Sequence, residues 1–283
     1  MSSDDFTHKS TTPEEPESTR PLKRQRNDID KEKSIKSVAG IKMEKSIFGL
    51  EPSDEFIKEV SDWIWKHARN CEHKVEVEAK IGIFVDQTGQ RAELPVAVET
   101  ILTNTDGLRF ISDMTISQHK HYNKILNDRT SQSSQTPTRI QYAHSKELDS
   151  FYPIGKGQRK IRVTKDLRTD QVKDVIEKVR VADLAIYSPK RLFDWRISIN
   201  MEIPQTVPQN QNMTYSRKKD RLSYTQQEMQ VDLTQVFSPN SETPSHELEL
   251  EMHRPKFLIE EGFKRERGLP NMCKIYLFTY DVN

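Results

Sequence analysis

Polar and apolar positions alternate through much of this chain, and the alternation predicts strands. His246 to His253 reads HELELEMH, so Glu247, Glu249 and Glu251 share one face while Leu248, Leu250 and Met252 share the other. Upstream, VEVEAKIG places Glu76, Glu78 and Lys80 opposite Val75, Val77 and Ala79. Between these ends, RKIRVTKD sets Lys160, Arg162 and Thr164 against Ile161 and Val163. WRISINMEIP sets Arg196, Ser198, Asn200 and Glu202 against Ile197, Ile199, Met201 and Ile203. RKKDRLSY carries Arg217, Lys219 and Arg221 on one face, and QVDLTQVF sets Asp232 and Thr234 against Val231 and Leu233. Asp174 to Arg180 reads as a further strand, and Ala182 to Tyr187 as a short turn of helix before Ser188-Pro189.

Helical spacing dominates elsewhere. Pro52 to Asn70 predicts an amphipathic helix with Ser53 as N-cap and Phe56, Ile57, Val60, Trp63 and Ile64 in one apolar stripe. Ser117 to Asn127 predicts a short helix, Asp128 to Ser145 a surface loop, and Pro204 to Met213 another loop. Helices followed by many strands with short turns give an α+β fold with a mostly antiparallel sheet.

The signs of the charges change that picture. An ordinary antiparallel sheet shows water a mixed polar face. Here some strands carry only carboxylates on the polar face and others nearly pure Arg and Lys. Segregated signs suit a closed barrel with an inward polar face, its apolar faces turned outward under the helices. Carboxylates about 7 Å apart along a strand repel one another and call for cations, protons or open water.

Composition adds bounds. The chain has 283 residues, 31% charged and 34% hydrophobic, with a formal net charge of +1, so any basic site is local. The two cysteines, Cys71 and Cys273, make no disulfide framework or zinc motif, and predict a reduced intracellular protein. No apolar run approaches the roughly 18 residues of a membrane span, which predicts a soluble protein. Residues 1–41 are rich in Ser, Thr, Pro, Glu and Lys and predict a disordered tail; the rest, 42–283, is read as one catalytic domain. Arg20 to Arg26 within the tail is either a nuclear address or a solvated charge run.

The two clusters suggest chemistry. Arg and Lys make charge-assisted hydrogen bonds to phosphate oxygens, and glutamates hold a hard divalent cation. Hydrolysis also needs an oriented water. Glu202, the lone carboxylate among neutral polar neighbours, is the candidate, the alternative being that it pairs with an inward Arg. No phosphate-binding Gly-x-x-x-x-Gly-Lys-Ser/Thr loop and no Cys-x5-Arg loop occur. His246 lies beside the acidic row, but alternation turns it to the outer face.

At VEVEAKIG and HELELEMH the chain resembles the fungal messenger-RNA 5′-triphosphatases, the capping-enzyme β subunits of the triphosphate tunnel metalloenzyme superfamily. IEKVRVADLAIYSPK, RISINMEIP and RKKDRLSY extend the likeness from about Ile47 to Met252, in the family's order. The resemblance implies an eight-stranded antiparallel β-tunnel on a helical base, usually homodimeric. It implies hydrolysis of the γ-phosphate at the 5′ end of nascent pre-mRNA, with Mg or Mn as cofactor, in the nucleus. The family acts with a separate mRNA guanylyltransferase and is recruited to RNA polymerase II. By position, Glu76, Glu78 and Glu251 match metal ligands, and Arg162, Lys219 and Arg221 match phosphate-binding cations. Glu202 matches the water-positioning glutamate, and Glu247 and Glu249 the other two essential glutamates. Lys80, Asp149, Arg196, Ser198, Arg217, Asp232 and Thr234 match further tunnel-lining positions. Two departures stand out: Arg180 occupies a position where some relatives carry His, and Gly268-Leu-Pro270 with an apolar ending interrupts the usual helical finish.

Three classes of function compete on the residues alone. A tunnel enzyme would act on triphosphate-ended RNA, or on tripolyphosphate or a nucleotide. A binding module would hold a polyphosphate or RNA end without turnover. A structural sheet would simply expose its charged faces. No aromatic series accompanies the basic strands, which implies a weak hold on the RNA body.

Overall fold

In the computed structural model, residues 55–155 and 159–266 are described. The predicted tail, the basic cluster at Arg20 to Arg26, the Ser53 cap, Cys273 and the apolar ending lie outside them. The acidic strand β1 (Lys74–Val85) is where the sheet closes. One edge pairs with β7 (Asp194–Pro204), from Lys74 opposite Glu202 to Gly82 opposite Asp194. The other edge pairs with β10 (Ser245–Met252), Glu78 facing Glu251 and Lys80 facing Glu249. The remaining staves are β4 (Gln141–Pro153), β5 (Lys160–Asp166), β6 (Val172–Tyr187), β8 (Tyr215–Gln226) and β9 (Met229–Phe237). Around the ring the order is β10-β9-β8-β4-β5-β6-β7-β1 and back to β10, every pairing antiparallel. Two short strands sit outside the ring, β2 (Thr100–Leu102) on β6 and β3 (Arg109–Ile111) on the end of β1. The closed barrel with helices outside is the architecture the charge pattern predicted, and its eight staves are the number the resemblance implied.

Closure sends the two faces of each strand to different fates. Carboxylates and cations turn inward; the apolar partners turn outward and require cover. Helix α1 (Glu55–Ala68) packs Val60, Ile64 and Ala68 onto Val75, Val77, Leu184, Ile197 and Ile199, joined by Met252 and Leu258. Helix α2 (Ile116–Ser133) contributes Tyr122 and Leu126 over Ile81, Leu233 and Leu248. Helix α3 (Pro255–Glu266) lies against α1, where Phe263 meets Trp65 edge-on at 4.8 Å and Gly262 allows the indole to approach. His246 does lie outside, buried against His119 of α2 with ring centroids 4.7 Å apart. Among the described residues no helix is long and apolar enough to cross a membrane.

Two local predictions are corrected. Ala182 to Tyr187 is not a helical turn but the second half of β6. The register against β7 shifts between Arg180 and Ala182, so Arg180 faces Asn200 while Asp183 faces Ser198. One extra residue reverses which positions point inward, which breaks the alternation on which the strand reading depends. Asp128 to Ser145 is not a loop throughout. The helix continues to Ser133, and β4 begins at Gln141. The first residues of β4 are polar on both faces and largely exposed, so they carry no periodic signal. Thr115 caps α2, accepting from the Gln118 backbone N–H at 3.2 Å while the Gln118 side chain accepts from the Thr115 N–H at 2.8 Å.

Gly82 sits where β3 crosses close to β1. A Cβ there would lie 2.2 Å from the Ile111 carbonyl oxygen and 2.8 Å from the Phe110 ring. Gly82→Ala is expected to destabilise the fold by about 1–3 kcal/mol, measured as a lowered urea midpoint with an unchanged slope.

Candidate active site

The lumen is assembled from facing strands. On the acidic wall, Glu76 and Glu78 of β1 lie beside Asn200 of β7, whose amide donates to Glu76 Oε2 at 2.8 Å and to Glu78 Oε1 at 3.3 Å. Glu251 faces Glu78 across the closing seam. Lys178 reaches in from β6, its Nζ 2.5 Å from Glu76 Oε2 and 3.1 Å from Glu78 Oε2. Lys80 bridges the other two acidic positions, 3.1 Å from Glu247 and also paired with Glu249.

On the basic wall, Lys219 Nζ lies 2.7 Å from Asp149 Oδ2 and Arg217 Nε 3.2 Å from the same oxygen, while the Thr164 hydroxyl donates to Asp149 Oδ1 at 2.8 Å. Arg221 pairs with Asp232 at 3.3 Å. Arg180 donates to the Ser198 hydroxyl, which donates in turn to Asp183. The Nε atoms of Arg162, Arg196 and Arg221, and Thr234 Oγ1, are buried without a hydrogen-bond partner. Three buried guanidinium N–H groups without acceptors are costly unless a ligand supplies oxygens.

Burial and neighbouring charge set the protonation pattern. Burial pushes Glu78 up, but Lys178 and Lys80 overcome it and leave the carboxyl lowered. Glu249 is likewise held well below the usual carboxylate range, burial being outweighed by Lys80 and Arg221, and Lys80 is raised in return. Burial is opposed at Arg221 by Asp232 and Glu249, which raise it. Asp232 is itself raised, chiefly by burial. Glu251 is pushed up to about 7 by burial and by the carboxylates of Glu76 and Asp232. Lys219 is pushed down to about 8 by burial and by Arg221, against the pull of Asp149.

Every candidate lining residue is therefore in the bore: Glu76, Glu78, Lys80, Asp149, Arg162, Arg196, Ser198, Glu202, Arg217, Lys219, Arg221, Asp232, Thr234, Glu247, Glu249 and Glu251 occupy inward registers of the ring. One expectation changes. Glu202 is not a lone carboxylate among neutral neighbours: Lys74 lies 2.6 Å away and Arg162 3.6 Å away. Lys178 and Asn200 were not singled out. Asn200 sits in the alternation of β7, whereas Lys178 shares its face with Ile176, which blurs the charge signal.

The donor set suits a hard divalent cation: three carboxylates on adjacent strands, one of them raised by burial and by its carboxylate neighbours. As the side chains stand, with Lys178 between Glu76 and Glu78, no three His, Cys, Asp or Glu groups converge on one point among the described residues. Glu76, Glu78 and Glu251 thus fit such an ion by chemistry and register, and Lys178 supplies positive charge at the same place.

A closed antiparallel barrel whose bore sets carboxylates against guanidinium and ammonium groups defines a triphosphate-tunnel protein. Residues 50–272 match the family described as mRNA capping enzyme, beta chain, and the chain belongs to that family. It is 38% identical over 264 residues to the mRNA-capping enzyme subunit beta of Schizosaccharomyces pombe, covering 88% of this chain and 86% of that one. The mRNA-capping enzyme subunit beta of Cryptococcus neoformans is 36% identical, covering 77% of this chain and 58% of the relative. The polynucleotide 5′-triphosphatase CTL1 of Saccharomyces cerevisiae is 27% identical, covering 70% and 68%. Among solved structures, S. pombe Pct1 RNA triphosphatase in complex with the Spt5 CTD superimposes with a TM-score of 0.74 at 36% identity, covering 80% of this chain and 91% of that one.

Folded Lys219 loses its proton near pH 8 and the unfolded lysine near 10.5, so between those values the unfolded chain binds more protons and stability rises with pH. Wild type is expected to gain up to a few kcal/mol relative to Lys219→Met between pH 8 and 10.5, at about 1.4 kcal/mol per pH unit, read by urea unfolding.

Proposed function

We propose that this protein is a metal-dependent polynucleotide 5′-triphosphatase that removes the γ-phosphate from triphosphate-ended nascent pre-mRNA, the first step of cap formation. The observation that carries this reading is the set of buried, acceptor-less Arg162, Arg196 and Arg221 Nε donors facing a carboxylate wall inside one closed bore. Phosphate oxygens satisfy such donors with charge-assisted hydrogen bonds.

Arg162, Lys219 and Arg221 hold the terminal phosphate oxygens and draw off the negative charge that builds on them. Glu76, Glu78 and Glu251 would hold Mg2+ or Mn2+, which supplies Lewis-acid polarisation of the phosphoryl oxygens. Lys178, an ammonium on a flexible stem beside Glu76 and Glu78, would donate to the phosphates as well. Glu202 accepts a hydrogen bond from the attacking water, Lys74 yielding its place because its side chain is largely exposed. Water adds to the γ-phosphorus, the bond to the β–γ bridging oxygen breaks, and the products are RNA 5′-diphosphate and orthophosphate. Glu247 and Glu249 keep Lys80 charged and fixed beside the site.

In the same reading the protein works as a homodimer in the nucleus, with an mRNA guanylyltransferase as partner and RNA polymerase II as the place of recruitment. Support for the capping and transcription partners comes from the β-subunit naming of its relatives and from the Pct1 structure solved with the Spt5 CTD.

Release of labelled phosphate from γ-labelled triphosphate-ended RNA in Mg2+ or Mn2+ tests the reading. Glu76→Ala and Glu251→Ala are each expected to slow release by about 100-fold or more. Glu202→Gln is expected to lower kcat while leaving the metal concentration for half-maximal rate unchanged. Wild-type rates in Glu76→Ala or Glu251→Ala would sink the proposal.

A further inference from the structure

A cavity of about 480 Å³ lies between β4, β5, β6 and β8 and is lined by Arg162, Lys178 and Arg217 of the bore together with Phe151, Lys160 and Tyr215. It thus joins the phosphate-binding wall to a rim of different chemistry. Phe151 and Tyr215 face each other in the β4–β8 register, and their rings stack at 4.3 Å with planes 4° apart. Each outer face of this pair carries a cation: Arg217 over Phe151 at 5.4 Å and Lys160 over Tyr215 at 5.1 Å. Tyr215 is 39% exposed, and Lys160 is exposed as well. The pair is assembled by strand pairing from positions 64 residues apart, so no run of aromatics along the chain announces it.

Resting on the triphosphatase reading, we infer that the Phe151–Tyr215 stack is a platform for the base of the first nucleotide of the triphosphate-ended RNA. Three observations converge on this. The outer face of Tyr215 carries an exposed lysine, whose flexible ammonium can move to a phosphate and leave the ring to a base. Arg217 holds Phe151 from behind while its Nε bonds Asp149, so the platform is anchored to the buried basic wall. Along β8, Tyr215, Arg217 and Lys219 all point inward, with Tyr215 about 14 Å from Lys219 at roughly 3.4 Å per residue. That spacing suits a ribose and triphosphate reaching inward from a stacked base. Stacking is tolerant of base identity because every base presents a π-face, which suits a substrate class defined by its 5′ end and not its sequence. The platform would separate polynucleotide ends from inorganic polyphosphate, which has no base to stack.

The test uses a triphosphate-ended RNA pentamer with fluorescent 2-aminopurine as its first nucleotide, and inorganic tripolyphosphate as a competitive inhibitor. With wild type, binding should quench the fluorophore. Tyr215→Ala should abolish most of the quench and raise KM for the RNA about tenfold, while the inhibition constant of tripolyphosphate stays within about twofold. Tyr215→Phe, which keeps the ring, should behave as wild type in all three measurements. An unchanged KM and quench in Tyr215→Ala would overturn the platform, as would an equal weakening of RNA and tripolyphosphate, which would mark a structural role. A Tyr215→Phe variant that fails like Tyr215→Ala would also overturn it, because the hydroxyl and not the ring would then be responsible. Failure of wild type to release phosphate from the RNA would instead refute the triphosphatase reading itself.

Discussion

Charge pairing inside an enclosed bore is the constraint on which this structure depends. Lys80 with Glu247 and Glu249, Lys178 with Glu76 and Glu78, Lys219 with Asp149, and Arg221 with Asp232 all meet in the interior of the ring. Taking an ion out of water costs several kcal/mol, and only close geometry with further hydrogen bonds recovers it. The register of the staves supplies that geometry. A slip of one residue in any pairing would turn a charged row outward and an apolar row inward. Each stave is therefore held to its neighbours by the same side chains that line the site, and stability and binding chemistry cannot be tuned separately.

The outer layer follows from the inner one. Because polar side chains occupy much of the bore, two apolar clusters lie between barrel and helices, with Ile199 and Leu233 fully buried beneath α1 and α2, and another around Phe84 and Tyr187 closes one end. Buried Asp194 secures one end of the barrel, accepting from the backbone N–H groups of Phe84 and Ser188 at 3.0 Å and from Arg91 at 2.6 Å. It ties β1 to the β6–β7 connection. The barrel is thus also braced at this end by a buried carboxylate.

The interior charges are incompletely satisfied, and in a patterned way. Carboxylates crowd at the β1–β10 seam, where Glu251 is raised, while Nε donors of three arginines lack acceptors. In the triphosphatase reading, a hard cation held by Glu76, Glu78 and Glu251 would relieve the first condition and phosphate oxygens the second. Membership of the capping enzyme β-chain family accords with this electrostatic arrangement. The aromatic stack beside Arg217 adds a neutral surface at the rim, where a polyphosphate ends and a nucleoside begins.

Much of this was legible along the chain. Period-two alternation in HELELEMH and VEVEAKIG placed the glutamates on one face, and the opposite sign of the inward row in RKKDRLSY implied that the faces meet. Such patterns survive because a strand fixes side-chain direction locally. What the local pattern could not carry is whatever depends on neighbouring strands. The bulge after Arg180 reverses parity and hid half of β6; Lys178 was masked by Ile176 on the same face; Lys74 and Arg162 reach Glu202 from other strands; and Phe151 meets Tyr215 only through the β4–β8 register. By itself the sequence determined which residues share a face, and hence a sheet whose charged lining suits a closed barrel. Which cation meets which carboxylate, and where aromatic rings stack, was decided by the tertiary structure, because register between strands distant in the chain is set by the closing of the whole ring.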